Sequence, residues 1–97
     1  MSERIENYRA RRCGNVVERP LEPGVIYLWG CDSDDDPPFA ALFLCPCGCG
    51  GEVSIPLTAD GWKLNGSLDE PTLSPSILWK HGCLAHFFIR DGKVVWA

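Results

Sequence analysis

Apolar residues along the chain occur in short runs that are rich in β-branched and aromatic side chains and are separated by glycine and proline. Runs of this kind predict strands. Only residues 2–12 have a composition compatible with a helix, and they carry no apolar stripe at helical spacing. Strands are predicted at residues 25–29, 39–44, 52–57 and 77–79, with a further short one at 62–64.

The C-terminus carries the clearest structural pattern. Two apolar runs, at residues 87–89 and 94–96, flank Asp91 and Gly92. An Asp-Gly pair supplies the two positive φ angles of a tight hairpin turn, so these runs predict a β-hairpin. With the other predicted strands, they indicate a mainly β fold: a small antiparallel domain that ends in a hairpin.

Length and charge narrow the functional classes. The 97 residues predict one small domain at 25–97, with residues 1–24 as an extension that packs on it or leads into it. The net charge of −4 argues against nucleic-acid binding, which needs clustered Lys and Arg. The first twelve residues have no apolar segment, so we expect neither a secretory signal nor a membrane anchor, and a cytoplasmic location. The acidic run at 32–36 is interpreted as a solvated loop.

Cysteine spacing points to a metal site. Cys45, Cys47 and Cys49 lie within five residues, and Cys83 and His86 follow far downstream. Zinc prefers thiolate and imidazole ligands and takes four of them tetrahedrally. Five candidates compete for four positions, so one is spare or the site is not a plain structural zinc site. The alternatives are a disulfide or buried thiols, but a chain in the reducing cytosol favours zinc.

The glycines around these cysteines bear on the geometry. A single residue separates each pair of neighbouring cysteines, whereas the usual zinc knuckle has two. Gly48, Gly50 and Gly51 can adopt positive φ, which lets the segment curl until sulfurs from alternate residues converge.

Strand geometry separates the two downstream candidates. If residues 83–90 are extended, Cys83 and His86 point to opposite faces. Either a turn brings both to the metal, or Cys83 binds alone and His86 is available for other chemistry. A buried histidine bonded to a backbone carbonyl is the default interpretation of a lone histidine.

Two serines offer His86 a chemical partner. Ser74 lies between Pro71 and Pro75, which keep it extended, and Ser76 follows Pro75 with little freedom. A serine hydroxyl becomes a nucleophile when an imidazole within hydrogen-bond reach takes its proton, and Glu70 or Asp69 could orient that imidazole. On spacing alone, a proline-bounded loop whose hydroxyls cap their own backbone is the better interpretation.

Three ordered motifs resemble one family: FLCPCGCG at 43–50, PTLSPSI at 71–77 and CLAHFFIRDGKVVW at 83–96. They are similar to a bacterial domain family, formerly of unknown function, that is encoded beside ubiquitin-like, E1-like and E2-like proteins in defence operons. The resemblance covers roughly residues 25–96. It implies a zinc-bearing peptidase that processes or deconjugates the ubiquitin-like protein. It further implies that Cys45, Cys47, Cys49 and Cys83 are the zinc ligands, His86 the base, and Ser74 or Ser76 the nucleophile.

The function expected from motifs and resemblance together is hydrolysis after the C-terminal glycine of a ubiquitin-like protein. One alternative is a metallohydrolase with a zinc-bound water and Glu70 as general base. Another is a non-enzymatic zinc adaptor that binds E1-like, E2-like or ubiquitin-like partners. Cys13 and Cys31 fall outside both metal-binding segments and are expected to be packed or exposed thiols.

Overall fold

The computed structural model describes residues 4–14, 17, 20–30, 38–57, 61–79 and 85–97. Those ranges form two four-stranded sheets, and none of them contains a helix that could cross a bilayer. The first sheet has the order β1-β2-β3-β4 and the second β5-β6-β7-β8. The strands are β1 (Arg9–Arg12), β2 (Val25–Trp29), β3 (Ala40–Leu44), β4 (Glu52–Pro56), β5 (Lys63–Gly66), β6 (Pro71–Trp79), β7 (Ala85–Arg90) and β8 (Lys93–Trp96).

The mainly β, largely antiparallel fold is confirmed, and it includes a strand within residues 2–12, the one segment whose composition is compatible with a helix. Arg9–Arg12 is a strand that runs parallel to β2, with Arg9 opposite Val25 and Arg12 opposite Leu28. Its weak helical preference amounts to tenths of a kcal/mol per residue, which pairing with a buried strand and burial of Ala10 easily exceed. The expected boundary at residue 24 stays a prediction.

The two sheets pack face to face around one apolar core. Phe43 on β3 and Phe87 on β7 meet edge to face, with ring centroids 6.3 Å apart, and Tyr8 packs against Phe43 at 5.3 Å. Edge-to-face aromatic pairs contribute beyond the area that they bury. The core also includes Ala10, Ile26, Leu28, Ala41, Val53 and Ile55 from the first sheet, and Leu73, Ile77, Ala85 and Ile89 from the second.

The outer faces of the two sheets differ. On the first sheet Leu21 covers Val25, Tyr27 and Leu42, with Cys13 half-buried beside them. β2 and β3 are therefore buried on both faces and have continuous apolar sequences rather than an alternating pattern. β7 instead alternates between buried and more exposed positions. The second sheet thus keeps an accessible outer face.

The predicted C-terminal hairpin is confirmed, including its turn. Asp91 and Gly92 have φ angles of 49° and 76°. A side chain at Gly92 would place its Cβ 2.8 Å from the carbonyl oxygen of Tyr8, so both conformation and space select glycine.

We predict that Phe87→Ala lowers the free energy of unfolding by about 3–5 kcal/mol, because it leaves a cavity between the two sheets. Chemical denaturation monitored by circular dichroism measures this loss. Phe87→Leu should lower the free energy of unfolding by less, and it replaces Phe87→Ala in the test if the alanine variant does not fold. Lys93→Ala, on an exposed position of the adjacent strand, is the control and should change stability by less than about 0.5 kcal/mol.

Candidate functional site

A serine and a histidine meet on the outer face of the second sheet. The hydroxyl oxygen of Ser76 on β6 lies 3.0 Å from Nε2 of His86 on β7. Leu78 is directly opposite His86 in this antiparallel pair, so Ser76 reaches the ring diagonally from two residues away. His86 is exposed and Ser76 half-buried. A hydroxyl and an imidazole at this distance could act as a nucleophile and a general base.

Regular pairing of Ile77 and Leu78 with β7 already places Ser76 on the face of His86, and an irregularity in β6 begins next to it. Leu73 pairs with Ile89 and Ile77 with Phe87, so β6 advances four residues while β7 advances two. The two extra residues of β6 form a bulge, and a bulge locally bends a strand and redirects its side chains. Proline has no N–H to contribute to a ladder, so Pro75 is compatible with the irregular stretch. Residues 71–79 are a strand, and the proline-bounded loop interpretation is therefore wrong for the backbone.

Trp62 fixes the backbone next to the serine. Its indole N–H donates a hydrogen bond to the carbonyl oxygen of Ser76 at 3.3 Å. Its own amide donates to the carbonyl of Pro56 at the end of β4. Gly61 makes this crossing between the sheets possible, because a Cβ there would lie 2.4 Å from that same Pro56 oxygen. Sequence reasoning placed Trp62 only in a short strand, and the indole contact had no signal in the sequence.

The other predicted catalytic residues lie elsewhere. Ser74 is exposed and sits opposite Lys63 on β5. Glu70 precedes β6 beside the hairpin turn, where its Cα would lie 3.4 Å from a Cβ at Gly92. Five residues, four of β7 and one of the turn, lie between His86 and Gly92, so the two positions are about 20 Å apart in extended chain. The fold therefore brings Ser76, but not Glu70, to His86.

Cys45, Cys47 and Cys49 converge in the turn between β3 and β4. Their sulfur atoms all lie within 4.8 Å of one another, and those of Cys45 and Cys47 are 3.4 Å apart. Tetrahedral zinc with Zn–S bonds near 2.3 Å separates its sulfurs by ~3.8 Å, so the spacing fits a zinc ion. Gly48 and Gly50 have the positive φ angles that the sequence predicted, whereas Gly51 does not. This group could hold a metal ion.

Hydrogen bonds hold the cysteine turn in place. The amide of Gly51 donates to the sulfur of Cys49 at 3.4 Å, and the Gly51 carbonyl accepts from the amide of Cys45. An amide directed at a sulfur orients it, as hydrogen bonds to the ligands do in metal sites. None of the cysteines that the structure describes takes part in a disulfide.

Tyr8 contacts the cysteine turn from the side of the hydrophobic core. Its hydroxyl donates a hydrogen bond to the carbonyl of Leu44, the residue before Cys45. Burial raises the pKa of the Tyr8 phenol well above its ordinary value, and negative charge on Cys45 and Cys47 raises that pKa further. Tyr8 therefore stays protonated and remains a donor.

The cysteine turn lies at the end of the sandwich where β7 begins. The amide of Ile5 donates to the carbonyl of Pro46, and the guanidinium of the preceding residue, Arg4, lies 4.9 Å from the ring centroid of Trp96. Trp96 in turn pairs with Phe87 near the start of β7. Cys83 precedes β7 by two residues but lies, like Cys31 and the acidic run at 32–36, outside the described residues.

The family comparison adds to this geometry. Residues 13–97 match the family described as "Bacterial ubiquitination-like system serine protease (BubE)". The chain belongs to this family. The resemblance expected from the three motifs is confirmed, and with it a peptidase of a ubiquitination-like system. The comparison with curated proteins found no match, and that with solved structures found none either.

We predict that Gly61→Ala destabilises the protein by about 1–3 kcal/mol, because its Cβ overlaps the Pro56 carbonyl and forces the backbone apart. Thermal unfolding measures the loss, and NMR should show a shifted indole N–H signal for Trp62. Gly14→Ala is the matched control, since a Cβ there meets no atom within 4 Å. Equal stability of the two variants would contradict the close approach at Gly61.

Proposed function

We propose that the chain is a serine peptidase in which Ser76 is the nucleophile and His86 its base, and that it cleaves a ubiquitin-like protein after its C-terminal glycine. The observation that carries this proposal is the 3.0 Å contact between Ser76 Oγ and His86 Nε2. The family description supplies the reaction class and the ubiquitination-like system.

In this mechanism, Nε2 of His86 accepts the hydroxyl proton as Ser76 Oγ attacks the substrate carbonyl. The tetrahedral intermediate collapses when His86 returns the proton to the leaving amine, which departs and leaves an acyl-serine. A water molecule then loses a proton to His86 and attacks the ester, which releases the carboxylate and restores the hydroxyl. For the first step Nε2 must be unprotonated, so the neutral ring carries its proton on Nδ1.

The backbone around the nucleophile supports this assignment. The bulge releases β6 from strict pairing between Leu73 and Ile77, so amides in that stretch can turn toward a developing oxyanion. The Trp62 indole holds the Ser76 carbonyl, and with it the peptide plane that follows the nucleophile. The backbone that carries Ser76 is thus held in a fixed position, and a fixed position is what the orientation of a nucleophile requires.

Glycine at the cleaved bond is proposed on steric grounds. The C-terminal glycine is the group through which ubiquitin-like proteins are processed and conjugated. Without a Cβ it lets the substrate backbone approach the sheet face closely. The metallohydrolase alternative needs His86 as a metal ligand, whereas its Nε2 lies against Ser76, so the geometry favours the serine mechanism.

The cysteine group is proposed to hold a structural zinc ion, with Cys45, Cys47 and Cys49 as ligands and Cys83 as the fourth. When bound, zinc would supply a cross-link between the β3–β4 turn and the segment that leads into β7. Cys83 is three residues before His86. The cross-link would therefore stabilise the strand that carries the base, in a domain too small to rely on its core alone.

We predict that Ser76→Ala lowers kcat/KM for a ubiquitin-like precursor of the same bacterial system by at least about 10³-fold, because the nucleophile is lost. Mass spectrometry of the products measures cleavage and its position. Ser74→Ala, two residues away on the same strand, should keep most activity. His86→Ala should match Ser76→Ala and keep its metal content.

Cleavage that survives Ser76→Ala but stops in Ser74→Ala would move the nucleophile to Ser74. Loss of metal in His86→Ala would make the histidine a ligand and overturn its role as base. Binding of the precursor without any cleavage by the wild type would favour the adaptor alternative.

We predict that the purified protein contains about one zinc ion, which elemental analysis measures, and that Cys47→Ser lowers both metal content and melting temperature because a ligand is lost. Cys13→Ser is the matched control, since Cys13 packs outside the cysteine turn and should keep the metal. A wild type that contains no metal and keeps its melting temperature in strong chelator would contradict the structural role.

A further inference from the structure

We infer that an apolar patch beside the serine–histidine pair, formed by Leu78, Phe88 and Val95, is the surface on which the ubiquitin-like substrate docks. The patch would receive apolar side chains that flank the cleaved bond. This inference rests on the proposed function, since it assumes that Ser76 attacks the substrate.

Strand pairing places the patch and His86 on one face. Leu78 is directly opposite His86, and Val95 is directly opposite Phe88, so each pair projects to the same side of the sheet. His86 and Phe88 are two residues apart on β7 and also share a face. Their rings confirm this, since they stack at 27° with centroids 6.4 Å apart. The patch therefore runs across three neighbouring strands beside the catalytic pair.

The patch is open to solvent. Leu78 is 47% exposed and Val95 41%, while Phe88 is half-buried between them. The corresponding face of the first sheet is covered by the segment that contains Leu21. Neighbouring exposed apolar side chains on a small soluble domain mark interaction sites, because leaving them in water costs free energy.

Phe88 is held in place before any substrate arrives. The His86 ring stacks on the Phe88 ring, and the guanidinium of Arg90 lies 4.5 Å from the centroid of the Phe88 ring. A cation over an aromatic face stabilises that ring position. A preorganised apolar surface loses little entropy on binding, which suits a docking site.

The occupant follows from the position of the nucleophile. A bond attacked by Ser76 must lie against the Ser76–His86 pair, and Leu78 is opposite that histidine. The substrate residues on either side of the bond extend about 3.3 Å each, so they necessarily pass over neighbouring side chains of this face. Apolar substrate residues beyond the glycine at the cleaved bond would bury the patch, and the ubiquitin-like protein is the partner whose bond must reach Ser76.

The test compares Leu78→Ser and Val95→Ser with the wild type in two assays. One is steady-state cleavage of the ubiquitin-like precursor, and the other is covalent labelling of Ser76 by a small fluorophosphonate, which needs the nucleophile but no docking surface. We expect kcat/KM to fall about 10-fold or more in each variant, mainly through KM, as loss of one buried aliphatic side chain predicts. Labelling rates and kcat should change much less.

Leu68→Ser is the matched control, because Leu68 is also exposed, at 45%, but lies on the connection between β5 and β6. It should leave KM unchanged. Normal cleavage kinetics in both patch variants would overturn the docking surface. The docking surface would also be overturned if the wild type were a dimer that Leu78→Ser converts to a monomer with unchanged KM, since the patch would then join two copies. Failure of the wild type to label at Ser76 would instead overturn the proposed nucleophile.

Discussion

The packing of the two sheets decides which side of β7 faces solvent. Phe87 is inserted against Phe43 in the core, and Ala85 and Ile89 follow it inward. Because side chains alternate along a strand, burying these residues directs His86 and Phe88 outward. The position of His86 is therefore a consequence of the hydrophobic core, and the residues that hold it in place are themselves buried.

Strand pairing also places Ser76 on this face, next to the bulge in β6. The indole of Trp62 reaches across from the connection between the sheets and holds the adjacent carbonyl. At the end of the sandwich where β7 begins, the cysteine turn is fixed by hydrogen bonds to Gly51 and by Tyr8. A regular core thus positions His86, and irregular features around it hold the Ser76 backbone and the cysteine group.

Much of the fold was predictable because local signals agree with the tertiary structure. The Asp91-Gly92 turn, the alternation along β7 and the apolar runs of β2 and β3 each specify their element. β1 was missed because Arg9–Arg12 has no strand pattern of its own and owes its conformation to pairing with β2.

Parts of the candidate site were predictable in the same way. The cysteine group follows from spacing and glycine content, whereas the choice between Ser74 and Ser76 depends on the register in which β6 pairs with β7. A change of register between strands depends on which residues pair across the sheet, and sequence spacing does not contain that information. The role of Trp62 was hidden for the same reason, since its partner is a backbone atom on another strand.

The serine and the histidine belong to neighbouring strands of one ladder, so their contact exists only in the correct register of that ladder. A one-residue slip between β6 and β7 would turn His86 toward the core and separate the two groups. A chain that is still emerging from the ribosome, or one that has paired in the wrong register, therefore lacks this contact. The contact between the two side chains is a property of the completed sheet and not of either strand alone.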